Sequence, residues 1–314
     1  MMIAELPLVS VLIPTYNRAD LLPHAVRSAL DQTYRNIEVL VQDDGSRDNP
    51  EAVVAAFEDP RLSFRRNETN LGMALNWRAL ALRARGKYLA FLSDDDVWDK
   101  EYLSTLVGKL EESADRVLAF CDHWSTDVEG RIDHEQTEAG SRRWMRDRIA
   151  EGEHKPFGEI ALVYRAIWTA SATVFRRDAV DWQAIPAEAG TCVDLYLAYM
   201  AARNGGAAWY SRQRLVLDRM HERSASASFA RLEPGMASTR AAIFCWRSFA
   251  SDRNLRAMSP YFRIKLAHNL FKYGLWRWQQ GNPSTGVLSV FRLLSPPLCA
   301  WNLRYMIRLR RLKI

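Results

Sequence analysis

Cysteine is scarce in this sequence: four in 314 residues, at positions 121, 192, 245 and 299, with no CxxC pair among them. That spacing excludes a disulfide framework and a cysteine zinc site, and it fits a reducing cytoplasm. Long apolar runs are missing too. No stretch approaches the roughly 20 uninterrupted apolar residues that span a bilayer. The nearest, 286–301, is broken by Arg292 and the Pro296–Pro297 pair. The opening MMIAELPLVSVLIPTYNR has neither the basic start nor the long apolar core of a secretory signal. Acid is absent from one end: residues 253–314 hold twelve Lys/Arg and no Asp or Glu. With a whole-chain charge of +6, the first 252 residues therefore carry −6, a mildly acidic body joined to a basic tail.

What is present is an alternation. Short β-rich runs at Val9–Pro14, Ile37–Gln42, Leu62–Arg65 and Tyr88–Leu92 are separated by helical patterns, the signature of a parallel α/β sheet. Their nearly continuous apolar content suits strands covered on both faces. Asp20 is placed to cap a first helix, in which Leu21, Leu22, Ala25, Val26, Ala29 and Leu30 recur at helical spacing. Two more helices are expected near Asn49–Phe57 and from Gly72 to Arg85. Beyond Lys100 the pattern weakens. Strands near Val117–Cys121, Ala172–Phe175 and Leu215–Met220 and a helix from Asp194 to Arg203 stand out. A long polar stretch, Asp122 to Pro156, contains a turn at Asp127–Arg131.

The polar residues sit at one place in this alternation. PTYNR follows the first strand, DDGS the second and DDD (Asp94, Asp95, Asp96) the fourth. In open α/β sheets ligands bind beyond the carboxyl ends of the strands, so three polar turns at that edge mark a site. Adjacent carboxylates suit a hard cation such as Mg2+ or Mn2+, usually held by one or two acids plus substrate phosphates. A solvated acidic turn opening the next helix is the alternative reading of DDD alone.

VSVLIPTYNRADLLPHAVRSALDQTYRNIEVLVQDDGSRD and NETNLGMALNWRALALRARGKYLAFLSDDDVW resemble family 2 glycosyltransferases, over residues 7 to about 110 strongly and 165 to 226 more loosely. The resemblance implies a GT-A fold: an α/β, Rossmann-like mixed sheet flanked by helices, here with a C-terminal helical extension. It implies a catalytic domain over 1–230, with a nucleotide-binding half (1–115) and an acceptor half (116–230), and an extension over 231–314. Pro14, Thr15, Tyr16 and Asn17 match the turn that packs on the nucleotide base and ribose, and Asp44 the acid that meets the pyrimidine. Asn70, Gly72 and Asn76 match the segment closing over the nucleotide, with helix capping the other reading of Asn70. Ser93-Asp94-Asp95 falls on the family's D-x-D. Ser93 replaces the first acid, Asp94 takes over its ribose contact, and Asp95 and Asp96 become metal ligands. His221, in LDRMHERSAS, resembles the family histidine that completes the metal sphere or contacts the diphosphate, although a structural role is the alternative.

Inverting transfer needs a carboxylate to take the acceptor hydroxyl's proton. The matching stretch, GTCVDLYLAYMAARNG, holds one acid, Asp194, which aligns either with the base or with an acid two residues beyond it. In the second alignment Thr191-Cys192 replaces the family's acid pair and the chain is a degenerate member; Glu188 is the reserve base. The implied partners are a nucleotide-sugar donor, of UDP type, and a saccharide or lipid-linked acceptor. A nucleotidyltransferase would need a Gly-rich phosphate loop with a lysine, which is absent near the amino terminus. The tail interleaves aromatics with Arg/Lys, which suits helices lying on an anionic membrane surface; simple packing on the domain is the alternative. No nucleic-acid motif accompanies the charge. The expected location is cytoplasmic, peripheral at the inner face of the plasma membrane.

Overall fold

In the computed structural model, which describes residues 6–167, 169–224 and 232–279, strand and helix alternate from the start. β1 (Val9–Thr15), β2 (Ile37–Asp43), β3 (Leu62–Arg66) and β4 (Tyr88–Phe91) are joined by α1 (Leu22–Leu30), α2 (Pro50–Ala55) and α3 (Met73–Arg83). They pair in parallel in the order β3-β2-β1-β4. Parallel neighbours require a crossover connection, and each helix supplies one. β2 and β4 are buried throughout and β1 nearly so, while edge strand β3 is half exposed, so the apolar runs mark strands covered on both faces.

α1 turns Leu22, Ala25, Val26, Ala29 and Leu30 into the core, as their spacing predicts. Its cap differs from expectation. The helix begins at Leu22 without a side-chain cap, and Asp20 pairs with Arg223 instead. Pro23 in the first turn loses no hydrogen bond there. Gly86 lies past the end of α3. A Cβ on it would come within 2.6 Å of the Ser10 backbone nitrogen, so only glycine lets this connection press against β1.

The second half adds β5 (Val97–Trp98), α4 (Tyr102–Glu111), β6 (Arg116–Thr126), α5 (His134–Arg143) and β7 (Gly152–His154). Then follow α6 (Gly158–Leu162), β8 (Thr173–Arg176), α7 (Val193–Ala202) and β9 (Ala207–Arg219). β8 inserts antiparallel between β4 and β6, β9 runs parallel to β6, and β5 and β7 pair antiparallel with β9. The result is a mixed sheet of nine strands, the expected α/β architecture. The polar stretch after Cys121 is more ordered than its composition suggests. β6 continues to Thr126 through an irregularity at Cys121/Asp122, and the Asp133 carboxylate caps α5 by accepting from the Gln136 N–H. Buried His123, Ser125 and Thr126 hide this strand from a hydrophobicity pattern.

Packing divides the chain into two compact units: 1–187 with 193–224, and 188–192 with the residues from 225 onward. The smaller contains α8 (Leu232–Ser251) and α9 (Ser259–Gln279). These pack through an aromatic cluster, in which Phe262 lies 6.0 Å from the Trp246 ring and 5.7 Å from Phe249. On α9, Phe271 is 45% exposed and Lys272 lies over the Trp276 ring. Among the described residues no helix is long and apolar enough to cross a membrane. The rest of the basic tail, residues 280–314 with the segment WNLRYMIRLRRLKI, lies outside the described residues.

Candidate active site

The site begins where β1 and β2 end in register, Pro14 opposite Gln42 and Thr15 opposite Asp43. The two following turns are stitched together. The Asn17 N–H donates to Ser46 Oγ (2.8 Å), the Arg47 N–H donates to Asn17 Oδ1 (2.9 Å), and the Asp44 N–H donates to the Thr15 carbonyl (3.0 Å). Asn17 takes φ 53°, a left-handed conformation that Asn tolerates better than most residues. Tyr16 is left 47% exposed at the edge.

Asp44 is buried and fully engaged. Its Oδ1 accepts from the Leu71 N–H (2.8 Å) and Asn67 Nδ2 (2.8 Å), and its Oδ2 from the Gly72 N–H (2.9 Å). Gly72 has φ +80°, which turns its N–H back towards the carboxylate at no side-chain cost. Asn70 Oδ1 shares that N–H at 3.1 Å. Asn76 lies inside rather than over the site: its Oδ1 accepts from Asn67 Nδ2 (2.9 Å) and its Nδ2 donates to the Gln42 carbonyl (3.2 Å).

The aspartates follow β4. Ser93 turns away from them, its N–H donating to Ser171 Oγ (3.1 Å) while the Ser171 hydroxyl donates to Ser93 Oγ (3.0 Å). Asp94, Asp95 and Asp96 are all buried. Arg18 Nη1 donates to Asp94 Oδ1 and to Asp95 Oδ2, both at 2.8 Å. His221 Nε2 lies 3.0 Å from the same Asp95 Oδ2. Asp96 faces β9, accepting from the Arg219 N–H at 3.2 Å.

Burial and mutual repulsion separate these acids. Burial pushes Asp94 up to about 6 against the pull of Arg18. Asp96 stands well above the usual carboxylate range through burial, with Asp218 and Asp95 adding to it. Burial also works against Asp95, yet the His221 hydrogen bond and the Arg18 charge bring it below its ordinary value. Asp218, at the end of β9, is raised to about 6 by burial and by Asp95.

Among the described residues no three His, Cys, Asp or Glu converge as a finished metal cage. The donors that do meet suit a hard divalent ion. Asp95 Oδ2 and His221 Nε2 are 3.0 Å apart, the separation of neighbouring ligands on an octahedral ion with bonds of about 2.1 Å. Such ions take few protein ligands and complete their shells with water and phosphate.

Asp194 lies in the first turn of α7. Burial raises its carboxyl to about 6, outweighing the Leu195 N–H and the charge of Arg165. Among the described residues no hydrogen bond or ion pair links it to the aspartate cluster. Glu188 is exposed and falls in the smaller unit. Thr191 and Cys192 of that unit turn to Ser238, Thr191 Oγ1 donating to its hydroxyl at 3.0 Å.

The family model for glycosyl transferase family 2 matches residues 10–178, more than half of the chain. The chain belongs to glycosyl transferase family 2. A putative teichuronic acid biosynthesis glycosyltransferase, TuaG of Bacillus subtilis, is 37% identical over 116 residues, 36% of this chain and 45% of that protein. A UDP-Glc:alpha-D-GlcNAc-diphosphoundecaprenol beta-1,3-glucosyltransferase, WfaP of Escherichia coli, is 38% identical over 105 residues, 33% of this chain and 41% of that protein. The matches thus span less than half the length of these curated relatives. Among solved structures, S. aureus TarS 1–349 in complex with UDP-GlcNAc superposes with a TM-score of 0.62 at 18% identity, over 84% of this chain and 72% of that one. The mannosyltransferase PcManGT from Pyrobaculum calidifontis, in complex with GDP-Man and Mn2+, gives 0.59 at 18% identity, over 96% and 84%. These superpositions carry the GT-A fold.

Within this family 2 site, residues beyond the motif positions hold the motif in place. Asp43 anchors the DDGS turn by accepting from the Ser46 N–H at 3.0 Å, and Asn67 ties Asp44 to Asn76. Arg18 and Asp218 stand inside quoted motifs, PTYNR and LDRMHER, so their proximity to Asn17 and His221 in sequence was a usable signal. Ser171, 78 residues from Ser93, had none.

Proposed function

We propose that this family 2 protein is a metal-dependent, inverting glycosyltransferase. It moves a sugar from a nucleotide-sugar donor, of UDP type, to a saccharide or lipid-linked acceptor in cell-surface polysaccharide synthesis. The observation that carries the reading is the meeting, at one sheet edge, of the Asp44-braced turn with the buried Asp94–Asp95 pair and His221. Relatives named for teichuronic acid biosynthesis and for glucosyl transfer to a diphosphoundecaprenol acceptor support the pathway class, and neighbours solved with UDP-GlcNAc or with GDP-Man and Mn2+ support the donor class and the ion.

Tyr16 offers an exposed ring for the base. The Pro14–Asn17 turn and the Asn70–Gly72 turn flank the nucleoside, with Asp44 holding the second turn in shape. Asp94 takes the ribose contact. Asp95 and His221 hold Mg2+ or Mn2+, with Asp96 behind them; when bound, such an ion offsets charge on the departing diphosphate. Asp194 takes the proton of the acceptor hydroxyl as that oxygen attacks the anomeric carbon. A carboxyl near 6 is ionised at neutral pH and still basic enough for the task. The larger unit is the catalytic domain. The smaller unit is the basic helical extension that lies on the inner face of the plasma membrane, with Phe271 and the Arg/Lys residues of α9 towards anionic lipid.

Incubation with Mn2+ and a panel of nucleotide sugars, with and without lipid-linked acceptor, tests the reading through release of nucleoside diphosphate. Failure to bind any nucleotide sugar sinks it. A degenerate binder is the second reading, favoured by Thr191 and Cys192 standing where the family's acid pair is expected and bonding to Ser238. Binding without release across the acceptor panel supports that reading. Flotation with anionic vesicles tests the extension: truncation after Asp252 is expected to abolish association, and unchanged flotation removes the membrane role.

A further inference from the structure

Asp95 Oδ2 already has two partners, Arg18 Nη1 at 2.8 Å and His221 Nε2 at 3.0 Å. A carboxylate oxygen has two lone pairs to offer, so an ion bonding this atom must displace one of them. Imidazole is itself a ligand for such an ion, whereas a guanidinium is a donor-only cation that no metal accepts and that a divalent ion repels. Arg18 is also centred on the pair: one nitrogen, Nη1, serves both Asp94 Oδ1 and Asp95 Oδ2, with only 18% of its side chain exposed. Its second terminal nitrogen, Nη2, donates to the Arg223 carbonyl at 2.8 Å. Arg223 in turn pairs with Asp20, at the start of the turn into α1.

We propose that Arg18 is the resident counter-cation of the Asp94–Asp95 pair and that the divalent ion binds by displacing it. This rests on the divalent-ion reading of the site given above. One cation is exchanged for another, so the buried acids are never left uncompensated, which would be costly in this setting. The exchange also breaks the Arg18 bond to the Arg223 carbonyl. Ion binding is therefore tied to the loop that carries His221, while the Arg223–Asp20 pair keeps that loop near α1. Arg18 is a positioning residue here: it sets how readily the acids accept an ion.

The test is Mn2+ binding to the whole protein without nucleotide, read from the electron paramagnetic resonance signal of free Mn2+ at fixed pH. Arg18→Gln is expected to tighten Mn2+ binding roughly tenfold, the scale of one charge-assisted hydrogen bond. Arg18→Lys, which keeps the charge on a single nitrogen, is expected to fall between Gln and wild type. Asp95→Asn is expected to remove binding in every background. Equal or weaker binding in Arg18→Gln overturns the displacement. If that variant does not fold by circular dichroism, Arg18→Lys decides on the same criterion, tighter supporting and equal or weaker overturning. The measurement uses no donor, so it fails separately from the enzymatic reading. Wild type that releases nucleoside diphosphate with no Arg18 effect overturns the displacement alone. Tighter Mn2+ in the variants, in a protein that binds no nucleotide sugar, overturns the donor reading alone.

Discussion

The turn around Asp44 and the cluster around Asp95 stand at the same sheet edge and satisfy their acids in opposite ways. Asp44 is satisfied by hydrogen bonds from two backbone N–H groups and one amide, all within a single local fold. Asp94, Asp95, Asp96 and Asp218 crowd together, and burial raises all but Asp95 above the ordinary carboxylate range. Cationic Arg18, from another strand's turn, is hydrogen-bonded to two of them. The first region is complete as it stands and works by shape. The second holds unspent electrostatic capacity and works by charge. Donor recognition and leaving-group chemistry ask for these two kinds of site.

The largest effect that can sharpen this contrast is expected at Asp194, a raised acid outside both regions. Asp194→Asn should lower turnover by about 10²–10⁴-fold. Wild-type kcat/KM should fall about tenfold per unit as pH drops below about 6, because protonation removes the base. The sign for stability is the reverse. A folded carboxyl near 6, against an ordinary 3.8, resists ionisation. The Asn variant should therefore be roughly 1–3 kcal/mol more stable at pH 7, with the gain shrinking below about pH 6 and gone near pH 3, below the ordinary 3.8, where both folded and unfolded acids are protonated. Loss of activity without that pH-dependent gain in unfolding experiments would remove the raised carboxyl from the mechanism.

Next comes the cluster itself. Asp95→Asn should cut nucleoside diphosphate release by roughly 10²–10³-fold. Its melting temperature should fall only modestly at pH 7, because relief of repulsion from Asp94 and Asp96 offsets part of the lost Arg18 and His221 contacts that hold the carboxyl below its ordinary value. Asp44→Ala should behave oppositely. Removing the acceptor of three hydrogen bonds strands the Leu71 N–H and leaves the Gly72 N–H only its Asn70 contact, and should cost roughly 1–3 kcal/mol of stability, with nucleotide affinity down about tenfold. Should calorimetry show both variants melting alike, the division into shape and charge fails. Ser93→Ala should have the smallest effect, a loss of about 1 kcal/mol or less from its bond with Ser171, with release rates unchanged. A large loss of activity there would return the Ser93 hydroxyl to the donor site.

Much of this was legible in the sequence because parallel α/β architecture is written in local patterns. Apolar runs four to seven residues long, helical repeats between them and polar turns after each strand depend on neighbours in the chain. They marked β1 to β4, α1 to α3 and the edge where Asp44 and the aspartates stand. The cap at Asp20 and the polar stretch beyond Cys121 were misleading for one physical reason. A carboxylate or a buried polar strand looks the same locally whether it meets solvent or a distant partner. Asp20 meets Arg223, and β6 continues through His123 and Ser125, buried among side chains the linear pattern cannot show.

By itself, then, the sequence determined the strands and parallel class of the first half, the family and the identity of the acids. Only the tertiary structure decided how those acids are compensated: which one faces backbone N–H groups, which one takes Arg18 and His221 on a single oxygen, and which one turns to β9. Charge compensation acts across space between residues that lie 76 to 126 positions apart, and no local pattern of residues encodes such a distance.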